Sequence, residues 1–264
     1  MAVRRSSAWS SAVPAPAVLR AGAILDMVGG AKGEAVTIAE LAARANLPRS
    51  SVMNICVALI ELGFLQSLDG GLVLGPRLAE LGMAYLDALD VGRMFRDRCA
   101  ALGALLEETA QLAVLDQLDV VYLARVDGPT PVPVRTWIGR RLPAYCTALG
   151  KAILAELDPK HVRELLAAAA PLAPMTRNTR TSIGDVMAEL AATRERGYGI
   201  NDEETTEGIF GVAMPVRGLP PSAGPYAVSI SMLKARANKQ RVDRALEVLR
   251  QLSDLVSDPD LATP

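Results

Sequence analysis

The sequence predicts an α+β chain of two domains, an N-terminal winged helix-turn-helix joined by a linker helix to an antiparallel sheet packed with helices. Three observations carry that expectation. The length of 264 residues exceeds a typical single domain, although length alone leaves one large domain open. Residues 37 to 74 read as helix, tight turn, helix and hairpin in that order. Beyond residue 109, short apolar strands mix with helices without a regular βα repeat, as in an α+β fold.

The elements follow from local pattern. Residues 1–15 (MAVRRSSAWSSAVPA) lack apolar periodicity and read as a flexible arm. A helix from about Pro16 to Val28 places Val18, Leu19, Ile24, Leu25 and Val28 on one stripe and stops at Gly29-Gly30. Thr37 opens a second helix as N-cap, with Glu40 as its capping-box partner. That helix ends near Ala45, Asn46-Leu47-Pro48 turns the chain, and Arg49 or Ser50 starts a third helix with Val52, Ile55, Cys56, Leu59 and Ile60 facing inward. Gly63 stops it, and Asp69-Gly70 joins two short apolar runs as a hairpin, the wing. The first domain is thus 16–76 and the linker helix 77–92, with Leu78, Leu81, Tyr85 and Leu89 along it. In the second domain, 93–257, we expect a helix from about Phe95 to Thr109. Strands are expected over 111–115, 120–126, 132–138, 209–216 and 226–232, with a turn at 139–143 and a hairpin connection over 218–225. Further helices are expected over 148–157, 159–169, from Ser182 to before Gly197, and over 239–256, with residues 258–264 as a tail.

Composition bounds the function. Half of the residues are hydrophobic and 22% charged, an ordinary globular balance, and only 4% are aromatic, so the core is aliphatic. The net charge of −1 announces no global basic field, and within 1–76 the basic Arg4, Arg5, Arg20, Lys32, Arg44 and Arg49 nearly balance the acids. Any nucleic-acid affinity must come from where charges sit. Cys56, Cys99 and Cys146 are far apart with no CxxC spacing and read as buried free thiols of a cytoplasmic protein. No apolar stretch is long enough to span a bilayer, so no membrane partner is expected. No Walker loop, zinc ligand set or dinucleotide fingerprint is visible, and neither metal nor cofactor is expected. The single histidine, His161, has no nucleophile or carboxylate pair at catalytic spacing, so we do not expect an enzyme.

From about Pro14 to Val256 the chain resembles the IclR family of bacterial transcriptional regulators. The resemblance is carried by Leu19-Arg20-Ala21 with Ile24-Leu25, by Leu47-Pro48-Arg49-Ser50-Ser51-Val52, and by Leu62-Gly63-Phe64. In the second half it rests on Gly139 with Leu142-Pro143, Thr147-Ala148-Leu149-Gly150-Lys151-Ala152, Gly197-Tyr198-Gly199, Asp202-Glu203-Glu204 with Gly208, and Ser229-Ile230-Ser231. Each motif is weak by itself, and their order and spacing are specific. The resemblance implies a GAF-like sensor domain, a roughly palindromic double-stranded operator bound by a dimer or a dimer of dimers, and a small-molecule effector. Two positions depart from the family pattern. Met53 and Asn54 stand where an aromatic or His followed by Arg is common, and Tyr145 stands where His is common, so an operator sequence does not transfer.

Candidate residues follow. Arg49, Ser50, Ser51 and Asn54 open the third helix, where free N–H groups and the positive dipole end suit phosphates and base edges. The alternative is that Ser50 merely caps the helix. Arg20 matches a family arginine and serves either a phosphate or an intramolecular ion pair. The amides of Ala148 and Leu149, at a helix start, could hold a carboxylate, or the segment could be a simple start with Gly150 allowing close packing. Lys151 is read as structural. Ser229 and Ser231 alternate on one strand face, with Ile230 opposite, and either line a cavity or face solvent. The resemblance adds Asp202, as a partner for a ligand hydroxyl, and Gly211, where a larger side chain would otherwise fill the pocket. Trp137 either walls that pocket or is plain core. The expected effector is a small organic acid. Two other functions stay open: a small-molecule enzyme or binding protein with an N-terminal interaction module, and a regulator whose second domain only oligomerises.

Overall fold

The capping box at Thr37 organises the first unit. Thr37 Oγ1 accepts from the Glu40 amide at 3.2 Å and Glu40 Oε2 accepts from the Thr37 amide at 2.8 Å, so two otherwise orphaned donors are satisfied reciprocally. The computed structural model describes residues 15–131, 137–217 and 224–254. Outside them lie most of the expected arm, residues 132–136 of an expected strand, residues 218–223 of the hairpin connection, the last residues of the final helix and the tail. The chain divides into two compact units, Met1–Ala88 and Leu89–Pro264.

The first unit contains α1 (Pro16–Gly29), α2 (Ile38–Ala45), α3 (Arg49–Glu61), β1 (Leu65–Leu68), β2 (Gly71–Leu74) and α4 (Arg77–Asp87). Asn46 ends α2 in the left-handed region, at φ +51°, which lets the chain reverse tightly into α3. The antiparallel hairpin pairs Leu65 with Leu74 and Leu68 with Gly71, with Asp69 and Gly70 both at positive φ in the two-residue turn. Its core joins Ile24, Val28, Leu41, Val52, Cys56, Leu59, Leu65 and Leu72. Three expected core residues differ: Val18 is 70% exposed, Leu19 40% and Ile60 38%. Periodicity identifies the apolar side of a helix but not how far along it a packing partner extends.

The second unit contains α5 (Asp90–Leu102), β3 (Thr109–Asp116), β4 (Asp119–Asp127), β5 (Arg141–Pro143), α6 (Ala148–Glu156), α7 (Pro159–Ala168), α8 (Ile183–Arg196), β6 (Gly199–Asp202), β7 (Ile209–Pro215), β8 (Tyr226–Leu233) and α9 (Lys239–Ser253). All pairings are antiparallel, in the order β5-β4-β3-β8-β7-β6. α6 is buried from Ala148 to Ala155, the central helix of this unit, and its core includes Leu149, Ile153, Val162, Leu166, Val186 and Leu190. Ile230 faces the other way, beside Ala245 and Val248 of α9.

Residues 77–92 are not one helix: α4 stops at Asp87, Leu89 is extended, and α5 starts at Asp90, ahead of the expected start at Phe95. Residues 141–143 form an edge strand in place of the expected turn, and β6 has no counterpart among the expected strands. Such short segments carry too few alternations to register as strands, and their pairing is decided by neighbours distant in sequence. Among the described residues no helix is long and apolar enough to cross a membrane.

Candidate nucleic-acid interface and ligand site

α3 begins without a side-chain cap. Its N-cap is Pro48, whose carbonyl accepts from the amides of Ser51 at 3.0 Å and Val52 at 3.2 Å. Ser50 is therefore a residue of the helix's first turn and not its cap. The Arg49 and Ser50 amides have no acceptor among the described residues, and no acidic side chain stands in the first turn. A helix start of this kind carries partial positive charge and open donors. Arg49, Ser50 and Asn54 are exposed and Ser51 is half-buried, while Val52, Cys56 and Leu59 anchor the opposite side. Arg20, half-buried on α1, has no ion-pair partner among the described residues, and its Nε lacks a hydrogen-bond acceptor.

In the second unit, register brings four sequence-predicted residues together with one that sequence reasoning missed. Gly211 pairs with Ser231 on the adjacent strand, and a Cβ built on Gly211 would meet Ser231 Oγ at 3.4 Å and Ala148 Cβ at 4.0 Å. That places the Gly211 and Ser231 face of the sheet against the start of α6. Gln111 of β3 lies opposite Ser229, and its Oε1 accepts from Ser231 Oγ at 3.1 Å and from Ser229 Oγ at 3.5 Å. Gln111 and Ser229 are buried, so Ser229 is no solvent-facing filler. A glutamine inside the apolar run Ala110-Gln111-Leu112-Ala113 is the signal available in the sequence, because a buried amide needs partners.

Thr147 caps α6, accepting from the Gly150 amide at 2.9 Å, and the Ala148 and Leu149 amides have no acceptor among the described residues. The outcome at Gly150 is steric: a Cβ there would lie 2.2 Å from the Ala144 carbonyl oxygen, so only glycine fits this bend. Gly199 is held likewise, its Cβ position falling 2.3 Å from the Ala148 carbonyl oxygen. The resulting patch offers two open amides, two hydroxyls and one carboxamide, and Arg125 of β4, ion-paired with Asp127 at 2.8 Å, stands directly opposite Gln111 in the sheet.

Two predicted residues are not part of it. Asp202 pairs with Phe210, one step out of phase with Asn201 and Gly211, so strand alternation sends its side chain to the opposite face. There it ion-pairs with Lys234, which also lies 5.3 Å from the centre of the Phe210 ring. Trp137 is 57% exposed and stacks under Arg140, so it is neither core nor the wall of a closed cavity.

Lys151 is buried and contacts Glu204, with its Nζ also donating to the Ile200 carbonyl at 2.8 Å. Arg180 bridges Glu204 at 2.8 Å and Glu189 at 3.1 Å, and Arg196 reaches Glu189. Burial pulls the Lys151 ammonium below its usual pKa, and Glu204 and Glu189 oppose that pull. The lysine thus ties α6 to the segment after β6 and to α8, a structural role. Burial also pushes the Cys99 and Cys146 thiols up to about 12, which leaves them protonated and unreactive near neutrality.

Residues 17–69 match the family described as the IclR helix-turn-helix domain, and residues 83–258 match the bacterial transcriptional regulator IclR C-terminal domain. The chain is 40% identical over 128 residues to the probable transcriptional regulator SauR of Cupriavidus necator, covering 48% of this chain and 50% of that protein. It is 31% identical over 182 residues to the Pca regulon regulatory protein of Pseudomonas putida, covering 69% and 62%. The chain therefore spans between half and two thirds of the length of these curated relatives. Among solved structures, Thermotoga maritima IclR superimposes with a TM-score of 0.66 at 28% identity, covering 93% of this chain and 98% of that one.

Proposed function

The chain belongs to the IclR family of bacterial transcriptional regulators, and from that premise we propose that it binds operator DNA through the start of α3 and that a small organic acid tunes this binding. The observation that carries the reading is the uncapped, acid-free start of α3, with Arg49, Ser50 and Asn54 exposed beside two open amides. Arg49 and the amides suit phosphates, and Asn54 suits the bidentate edge of adenine. A mobility shift with the DNA upstream of its own gene tests this. Specific binding should weaken steeply with salt, and Arg49→Ala should weaken it on all sequences while lowering the salt slope by about 1. Equal affinity for unrelated duplexes would defeat the reading.

The effector half of the proposal rests on the patch at the start of α6. The Ala148 and Leu149 amides suit a carboxylate, and Gln111, Ser229 and Ser231 suit a hydroxyl or second oxygen of the ligand. Gln111 takes the role expected of Asp202. Calorimetric titration with hydroxylated aromatic and aliphatic acids should find saturable binding that Ser231→Ala weakens. Binding confined to neutral or cationic compounds would exclude the carboxylate. A second reading, in which this domain only holds copies of the chain together, is favoured by the burial of Ala148, Leu149 and Ser229; a saturable thermal shift by such an acid would remove it.

A further inference from the structure

α3 carries more on its outer side than polar groups. Ser50, Met53, Asn54 and Val57 stand at i, i+3, i+4 and i+7, one stripe of the helix, opposite the buried Val52, Cys56 and Leu59. Met53 is 45% exposed and Val57 is 53% exposed. Ile60, 38% exposed, continues the same side, so this stripe of α3 presents a row of apolar groups to water among polar ones.

The chemistry of the stripe selects its occupant. In the major groove the bases present nitrogen and oxygen donors and acceptors, and a single apolar group, the C5-methyl of thymine. Resting on the proposed operator binding, we infer that Met53 and Val57 read thymine methyl groups, beside an adenine contacted by Asn54, so that each half-site carries an A·T-rich step that this helix recognises in part by apolar contact. The neighbours of the two side chains support a duplex over a second protein surface: Arg49 and the open amides of Arg49 and Ser50 begin the same helix, with no acid in its first turn. The residues differ in how they would read. Val57 is branched and stiff and fits one fixed methyl, whereas Met53 is flexible and adapts to its position.

The test leaves the protein unchanged and edits the base. Duplexes bound by the full-length chain are selected from a random pool, and each thymine of the enriched half-site is then replaced singly by deoxyuridine, which lacks only the methyl. Wild type should lose about three- to fivefold in affinity at one or two positions, the size expected for one buried methyl. Val57→Ala or Met53→Ala should bind the thymine and uracil forms equally at the matching position. Both side chains are exposed, so both variants should retain the wild-type melting temperature. Specific binding with no sensitivity to any uracil replacement would overturn the inference and leave the proposed function standing. A shift in oligomeric state by the variants without a thymine effect would overturn it in favour of contact between copies. Failure to enrich any duplex would overturn the proposed function itself and the inference with it.

Discussion

Glu189 shows how one residue can hold a charge in a crowded interior. Burial by itself pushes its carboxyl up, but the hydrogen bond from Arg196 and the charges of Lys151, Arg196 and Arg180 outweigh burial and hold it below its ordinary value of 4.5. A carboxylate depressed in the folded state contributes stability that is present above its unfolded pKa and is lost as pH falls through the folded pKa. We therefore expect Glu189→Gln to be less stable than wild type at neutral pH and the gap to close below pH 4.5. Urea midpoints recorded along a descending pH series check this, and a gap that stays constant would reject it. The partners of this cluster cannot be named from sequence. The resemblance to the family implies a structural Lys151, but its pairing with Glu204 joins residues 53 positions apart, which no local pattern encodes.

At the scale of elements, local chemistry is decisive wherever a side chain closes on its own backbone. Thr37 and Glu40 are readable as a box because both halves lie within one turn, and Asp69-Gly70 is readable as a hairpin for the same reason. Thr37→Ala should remove one acceptor and destabilise the first unit by about 1 kcal/mol, seen as a lower midpoint in thermal or denaturant unfolding; Thr37→Ser should restore most of it. The errors lie where local signal is thin. β5 and β6 have three and four residues, and the break between α4 and α5 at Leu89 falls in a sequence without proline. Asp202 is misplaced by sequence reasoning for a related reason: a shift of one residue in strand phase exchanges the faces of a sheet, and phase comes from pairing with β7.

For the molecule as a whole, the proposed regulation is a coupling between two binding events. If an acid changes operator affinity by some factor, the operator must change acid affinity by the same factor, whatever route connects them. Titrating the acid with and without saturating operator duplex should give that equality, and an acid that binds equally with and without DNA would not be the effector. Sequence alone determined most of the helices and strands in their order, though not β5, β6 or the break at Leu89, together with the winged helix-turn-helix, the start of α3 and the helical start at Ala148, because caps, turns and periodicity act over a few neighbouring residues. Only the tertiary structure decided that Gln111 joins Ser229 and Ser231, that Asp202 turns away from them, and that Met53 and Val57 stay uncovered. Each of these depends on which distant strand or helix comes to lie alongside, and burial and strand phase are properties of that meeting, not of the segment itself.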